Sequence, residues 1–73
     1  MIYVEQPPAS DLEMLIIAIK ADDWFATQSG PREVSIVSRQ TQQVLHKISP
    51  PAEWKRWAWN LLPDGTGIYL VRR

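Results

Sequence analysis

The chain has 73 residues, and with 45% hydrophobic and 22% charged residues it has the composition of an ordinary globular protein. That length allows one small domain burying about 60% of its unfolded surface, and the absence of cysteine excludes a disulfide framework and any thiolate metal site. Eight Lys and Arg balance eight Asp and Glu, so there is little net steering toward a phosphate backbone.

The zero balance is unevenly laid out. Residues 1–31 carry Glu5, Asp11, Glu13, Asp22 and Asp23 against Lys20, whereas residues 32–73 carry seven bases against Glu33, Glu53 and Asp64, so the halves are −4 and +4. Either the charge scatters over the fold or the surface has an acidic and a basic face. The longest apolar run, Met14 to Ile19, is six residues, far short of the roughly 20 that span a bilayer. The N-terminus lacks the basic-then-apolar layout of a signal peptide, and the expectation is a cytoplasmic protein.

Met1-Ile2-Tyr3-Val4 is a β-branched and aromatic run stopped by Pro7-Pro8, which predicts a strand over 2–5. Ser10 is followed by Glu13 at capping-box spacing, with Asp11 adding negative charge at the positive end of a helix. Leu12, Leu15, Ile16 and Ile19 then fall at i, i+3, i+4 and i+7, which predicts an amphipathic helix over 10–21. Met14, Ile17 and Ala18 widen the apolar arc beyond what one sheet face needs; they are core residues or a second side buried against a partner. Asp22 and Asp23 are poorly placed at a helix C-terminus, so they cap a following turn or form an acidic patch for a basic partner. Trp24 and Phe25 resume apolar character before a loop at Ser29-Gly30-Pro31.

Residues 33–38 and 43–48 read as an antiparallel hairpin around Arg39-Gln40-Thr41-Gln42. Ser49-Pro50-Pro51 opens a segment that could be helical, with Trp54, Trp57 and Leu61 at i, i+3 and i+7; the preferred reading is a helical turn at 51–54 feeding a strand over 56–62. Pro63-Asp64-Gly65-Thr66-Gly67 is the strongest turn signal in the chain and leads into a strand over 67–72. Arg72 and Arg73 form an exposed basic end.

These elements make an α+β domain in which one N-terminal helix packs on a small antiparallel sheet of four to five strands. Its stripe Leu12, Leu15, Ile16 and Ile19 would meet Val34, Ile36, Trp57, Trp59, Ile68 and Leu70, so Ile16→Asp is expected to unfold the protein.

Enzyme chemistry lacks parts. One histidine, no cysteine, no Gly-rich phosphate loop and no metal-ligand spacing leave no nucleophile, zinc site, metal site or nucleotide cofactor to assemble. His46 reads as a surface strand histidine, and Asp22 and Asp23 are sequence neighbours whose side chains diverge rather than face each other. Trp54, Lys55, Arg56 and Trp57 interleave bases with aromatics, which is the pattern of a single-strand nucleic-acid binder, but the rings would have to be exposed. A non-catalytic, monomeric protein-binding module is the preferred reading, with Trp, Tyr and Arg as anchors. The candidate partner-binding residues are Met1, Tyr3 and Glu5 in the N-terminal segment, the pair Asp22 and Asp23, and Trp54, Lys55 and Arg56.

A cysteine-free chain of this size with a capped helix over 10–21, a compact sheet and the aromatic-rich stretch WKRWAW at 54–59 resembles the small phage-encoded proteins that bind host RNA polymerase. The resemblance covers size and layout rather than a motif. It implies a stoichiometric inhibitor or antiterminator that regulates transcription through protein contacts, with bacterial RNA polymerase as the partner.

Overall fold

The computed structural model describes residues 13–73 together with the backbone of residues 2–5. Among them seven strands run in the order β1 (Ile2–Glu5), β2 (Met14–Ile19), β3 (Trp24–Gly30), β4 (Glu33–Ser38), β5 (Val44–Ile48), β6 (Trp57–Leu61) and β7 (Gly67–Arg72). They form a four-stranded sheet, β1-β2-β7-β6, and a three-stranded sheet, β3-β4-β5, with every pairing antiparallel. The inner faces meet in one core of Leu15, Ile17, Ile19, Val34, Ile36, Ile48, Trp54, Ile68 and Leu70. The architecture is a β-sandwich, not the expected α+β domain.

The largest correction lies at residues 14–19. The apolar run expected to be helical is strand β2, placed between β1 and β7 so that both of its backbone edges are bonded. Leu15, Ile17 and Ile19 face the core while Met14 and Ile16 face outward, an alternation hidden by the apolar character of both sets. Three isoleucines favour this outcome, because their branched Cβ atoms fit a pleated surface better than a helix. Ile16 therefore lies outside the core, and the expected unfolding by Ile16→Asp no longer follows. The Ser10 and Asp11 cap, like Met1, lies outside the described residues.

The second correction is β3. Residues 24–30, expected to be an apolar pair and a loop, form a seven-residue edge strand with a bulge between Gln28 and Gly30. At that bulge the Ser29 hydroxyl donates to Glu33 Oε2 at 2.7 Å and lies 2.7 Å from the Ser35 hydroxyl, giving buried Ser35 a partner. The remaining strands fall where the sequence places them, within a residue or two at each end.

The chain crosses between sheets at Lys20–Asp23 and again at Ser49–Arg56. The second crossing contains the expected turn, closed by Trp54 N–H donating to the Pro51 carbonyl at 3.0 Å. Arg32, from the β3–β4 turn, grips it: its Nη1 donates to the Trp54 carbonyl and its Nη2 to the Pro51 carbonyl, both at 2.8 Å. Two further clasps follow along β6, where Trp57 Nε1 donates to the Pro31 carbonyl at 3.2 Å and Trp59 Nε1 to Gln28 Oε1 at 3.1 Å. Three of the four tryptophans thus tie the two sheets together.

The β6–β7 hairpin closes as its residues predict. Asp64 Oδ1 accepts from Thr66 N–H at 3.0 Å and from the Thr66 hydroxyl at 2.7 Å, and Gly65 takes φ 75°, which Gly adopts without strain. At Gly67 a Cβ would run into the Ile17 carbonyl oxygen, so the close approach of β7 to β2 requires glycine there.

Candidate functional site

The outer face of the four-stranded sheet is built by register. Met14 pairs with Val71, and Val71 with Ala58; Ile16 pairs with Tyr69, and Tyr69 with Asn60; Ala18 pairs with Gly67. Directly paired residues of an antiparallel sheet share a face. These rows therefore place Met14, Ile16, Ala18, Ala58, Tyr69 and Val71 side by side, with Asn60 as the polar member. Met14 is 43% and Ile16 41% exposed, and the other four apolar residues are half-buried. Two exposed large apolar side chains in adjacent rows of one sheet face form a patch rather than a scatter.

Several residues singled out in the sequence come to this face or its margin. Tyr3 is in register with Ala18, and Glu5 with Ile16, on the flanking strand β1. At one end Arg73 N–H donates to the Arg56 carbonyl at 3.0 Å, extending the β6–β7 ladder by one row beyond Trp57 and Arg72. Alternation puts Arg56 and Arg73 on the same side as Ala58 and Val71. Both are exposed, as are Lys55 and Arg72 beside them. The pairing thus joins two basic dipeptides that are far apart in sequence.

Trp54 does not belong to this surface. It is 1% exposed and sits in the core beneath the Arg32 clamp, so of the three consecutive residues 54–56 only Lys55 and Arg56 face solvent. Asp22 and Asp23 lie at the opposite end of the sandwich. Asp23 has φ 52°, its carbonyl accepts from Arg39 N–H at 2.9 Å, and its carboxylate is 3.7 Å from Arg39 Nε. With both side chains about half exposed, that ion pair contributes about 0–1 kcal/mol. Its geometry makes Asp23 a turn residue with a local partner.

The same end holds a half-open cleft of about 300 Å³ lined by Asp23, Trp24, Phe25, Ala26, Arg39, Leu61 and Gly65. Its charged groups are the Asp23–Arg39 pair, and the Arg39 guanidinium carbon lies 5.3 Å from the centre of the Phe25 ring. Both of these groups are therefore already engaged with each other or with the cleft wall. His46 is exposed on edge strand β5. Among the described residues no group of three or more His, Asp or Glu could hold a metal ion, and no helix is long and apolar enough to cross a membrane.

Sequence reasoning missed Met14, Ile16, Ala58, Tyr69 and Val71 as a set. The available signal was the unbroken apolarity of residues 14–19, which exceeds what a single buried face requires. Comparison of the chain with protein-family models, with curated proteins and with solved structures found no match.

Proposed function

We propose that this chain is a non-catalytic protein-binding module that docks on a larger partner through the outer face of its four-stranded sheet. The observation that carries the reading is the exposure of Met14 and Ile16 amid Ala58, Tyr69 and Val71. A small domain gains solubility from polar outer faces, and apolar residues held outward in adjacent rows are available for burial against another molecule. Bound there, the protein would act by occupying or redirecting its partner in the cytoplasm. Bacterial RNA polymerase is the partner that the resemblance in size and in the aromatic-rich stretch 54–59 suggests, without the helix that strand β2 replaces, and it would make the protein an inhibitor or antiterminator of transcription.

A tagged full-length chain and its Ile16→Lys variant test this in parallel pull-downs from bacterial lysate, each with and without nuclease. Recovery of polymerase subunits by the wild type but not by the variant, unaffected by nuclease, is the expected result. Equal recovery by both would remove the sheet face from the reading.

Single-strand nucleic-acid binding keeps one observation in its favour, the gathering of Lys55, Arg56, Arg72 and Arg73 next to Trp57. Against it, Trp54 is buried and the Trp57 indole N–H is held by Pro31, which removes one stacking platform and restrains the other. That alternative predicts retention that vanishes with nuclease and falls steeply with salt.

A further inference from the structure

We infer that the occupant of the outer face is an acidic amphipathic helix about three turns long, lying with its C-terminal end against Arg56 and Arg73. The inference rests on the docking role proposed above and specifies the partner's chemistry.

Size argues for a helix. Strands about 4.8 Å apart, rising about 3.4 Å per residue, make the patch from Met14 to Ala18 and from β2 to β6 roughly 10 to 15 Å in each direction. A stable association of two folded surfaces buries about 800 Å² per partner, several times that footprint. A second copy packed face to face would therefore have to reach well past the patch onto the charged positions that border it, whereas a single helix matches the patch in width. A helix is about 10 Å across and rises about 1.5 Å per residue, so ten to twelve residues span the patch. The face also offers side chains rather than free backbone donors, since β2 and β7 are bonded on both sides. An extended peptide would find no ladder to join on this face, whereas a helix brings its own apolar stripe.

Charge argues for the acid and for the direction. Arg56 and Arg73 close one end of the patch, while Lys55 and Arg72, one position along each strand, alternate to the other side of the sheet. Negative side chains in the last turn of the helix would meet Arg56 and Arg73, and so would the negative end of the helix dipole. Acidic residues should therefore crowd toward one end of the helix rather than line it evenly.

The test is a selection of random 16-residue peptides, displayed on phage, against the immobilised full chain. Expected binders carry apolar residues at i, i+3, i+4 and i+7 with Asp or Glu concentrated in the C-terminal turn. Synthesised and titrated onto the labelled chain, they should move the amide signals of Met14, Ile16, Tyr69, Val71 and Arg73. Ile16→Lys should abolish binding, and Arg56→Glu should weaken it at least tenfold, while both variants keep the wild-type circular dichroism spectrum. A selection that yields basic or extended peptides, or none, overturns the acidic-helix occupant. If the wild type and not Ile16→Lys still captures polymerase from lysate, the docking role survives that failure. Peptides indifferent to Ile16→Lys overturn the face itself. Sedimentation of the wild type as a dimer that Ile16→Lys dissociates would replace the helix with a second copy.

Discussion

The outer faces of the two sheets meet solvent in different ways. On the four-stranded sheet the outward positions include Met14, Ile16, Ala18, Ala58, Asn60, Tyr69 and Val71, and of the large apolar ones Met14 and Ile16 stand exposed. On the three-stranded sheet the outward positions of β3 and β4 pair Thr27 with Ser35 and Phe25 with Val37, and Lys47 lies opposite Ser35. There the apolar pair sits at one end, with the Arg39 guanidinium over Phe25 and Val37 buried. Neither face is needed to hold the sheets together, since the core lies between them. Val44, opposite Val37, and Leu45 beside it are exposed on edge strand β5, so the difference lies in arrangement: on the four-stranded sheet the apolar positions run through adjacent rows of two central strands, whereas on the other sheet they gather at one end beside polar rows.

The contrast breaks or holds on strand β2. Ile17→Asp puts an unpaired carboxylate at a 2% exposed core position, a cost comparable to the whole stability of a domain this small, and the variant should be unfolded by circular dichroism at 25 °C. Its neighbour variant Ile16→Asp should melt cooperatively within about 1 kcal/mol of wild type. If both unfold, the outer face is structural and its reading as a docking surface collapses.

Trp54→Ala asks whether the crossing between sheets carries stability or binding. Removing a fully buried indole should cost about 3–5 kcal/mol in urea denaturation, with loss of the Arg32 grip on the crossover. A stable variant that loses its partner would return Trp54 to the binding surface.

Arg39→Ala sharpens the shielded side. The guanidinium over Phe25 and its pairing with Asp23 are solvent-exposed contacts, so the loss should be about 0.5–1 kcal/mol. Binding of a hydrophobic dye should rise, because the Phe25 ring is uncovered. No rise would mean that Arg39 shields nothing and that the two faces differ less than they look.

The smallest effect concerns Asp64. The Thr66 hydroxyl and backbone N–H hold its carboxyl below the ordinary aspartate range. A lowered folded-state pKa means that the turn's contribution is present above the unfolded value and is lost as pH falls through the folded one. Hairpin amide signals of Gly65 and Thr66 should shift in acid before the core signals do, and Asp64→Asn should remove that shift. Identical titration of the variant would assign the change elsewhere.

Much of this molecule was legible in its residues, and the failures have one cause. Turns are written in residue types with special backbone freedom, so Pro63-Asp64-Gly65 and the 51–54 turn could be located, and the strands beside them followed. β4 could be read because serines punctuate its valines and isoleucine. β2 could not, since Met-Leu-Ile-Ile-Ala-Ile satisfies a helical stripe and a two-sided strand equally well. β3 was obscured by Thr27, Gln28 and Ser29, which are polar because they sit on an edge and at a bulge. Of the residues singled out in the sequence, Arg56 is carried to the end of the outer face by the β6–β7 register, and the backbone of Tyr3 and Glu5 flanks that face on β1. The burial of Trp54 was invisible because composition does not say which of four tryptophans faces inward.

One feature of the topology governs when the outer face comes into being. β3, β4 and β5 follow one another through short turns, whereas the pairing of Met14 with Val71 closes nearly the whole chain into a single loop. Loop-closure entropy makes the local hairpins the earlier event and the β2–β7 pairing the later one. Pulse-labelled hydrogen exchange during refolding should therefore protect β4 amides ahead of those of β2 and β7. A chain truncated before β7 would lack the rows that Val71 and Tyr69 share with Met14 and Ile16, so the outer face exists only once the two most distant strands of its sheet have met.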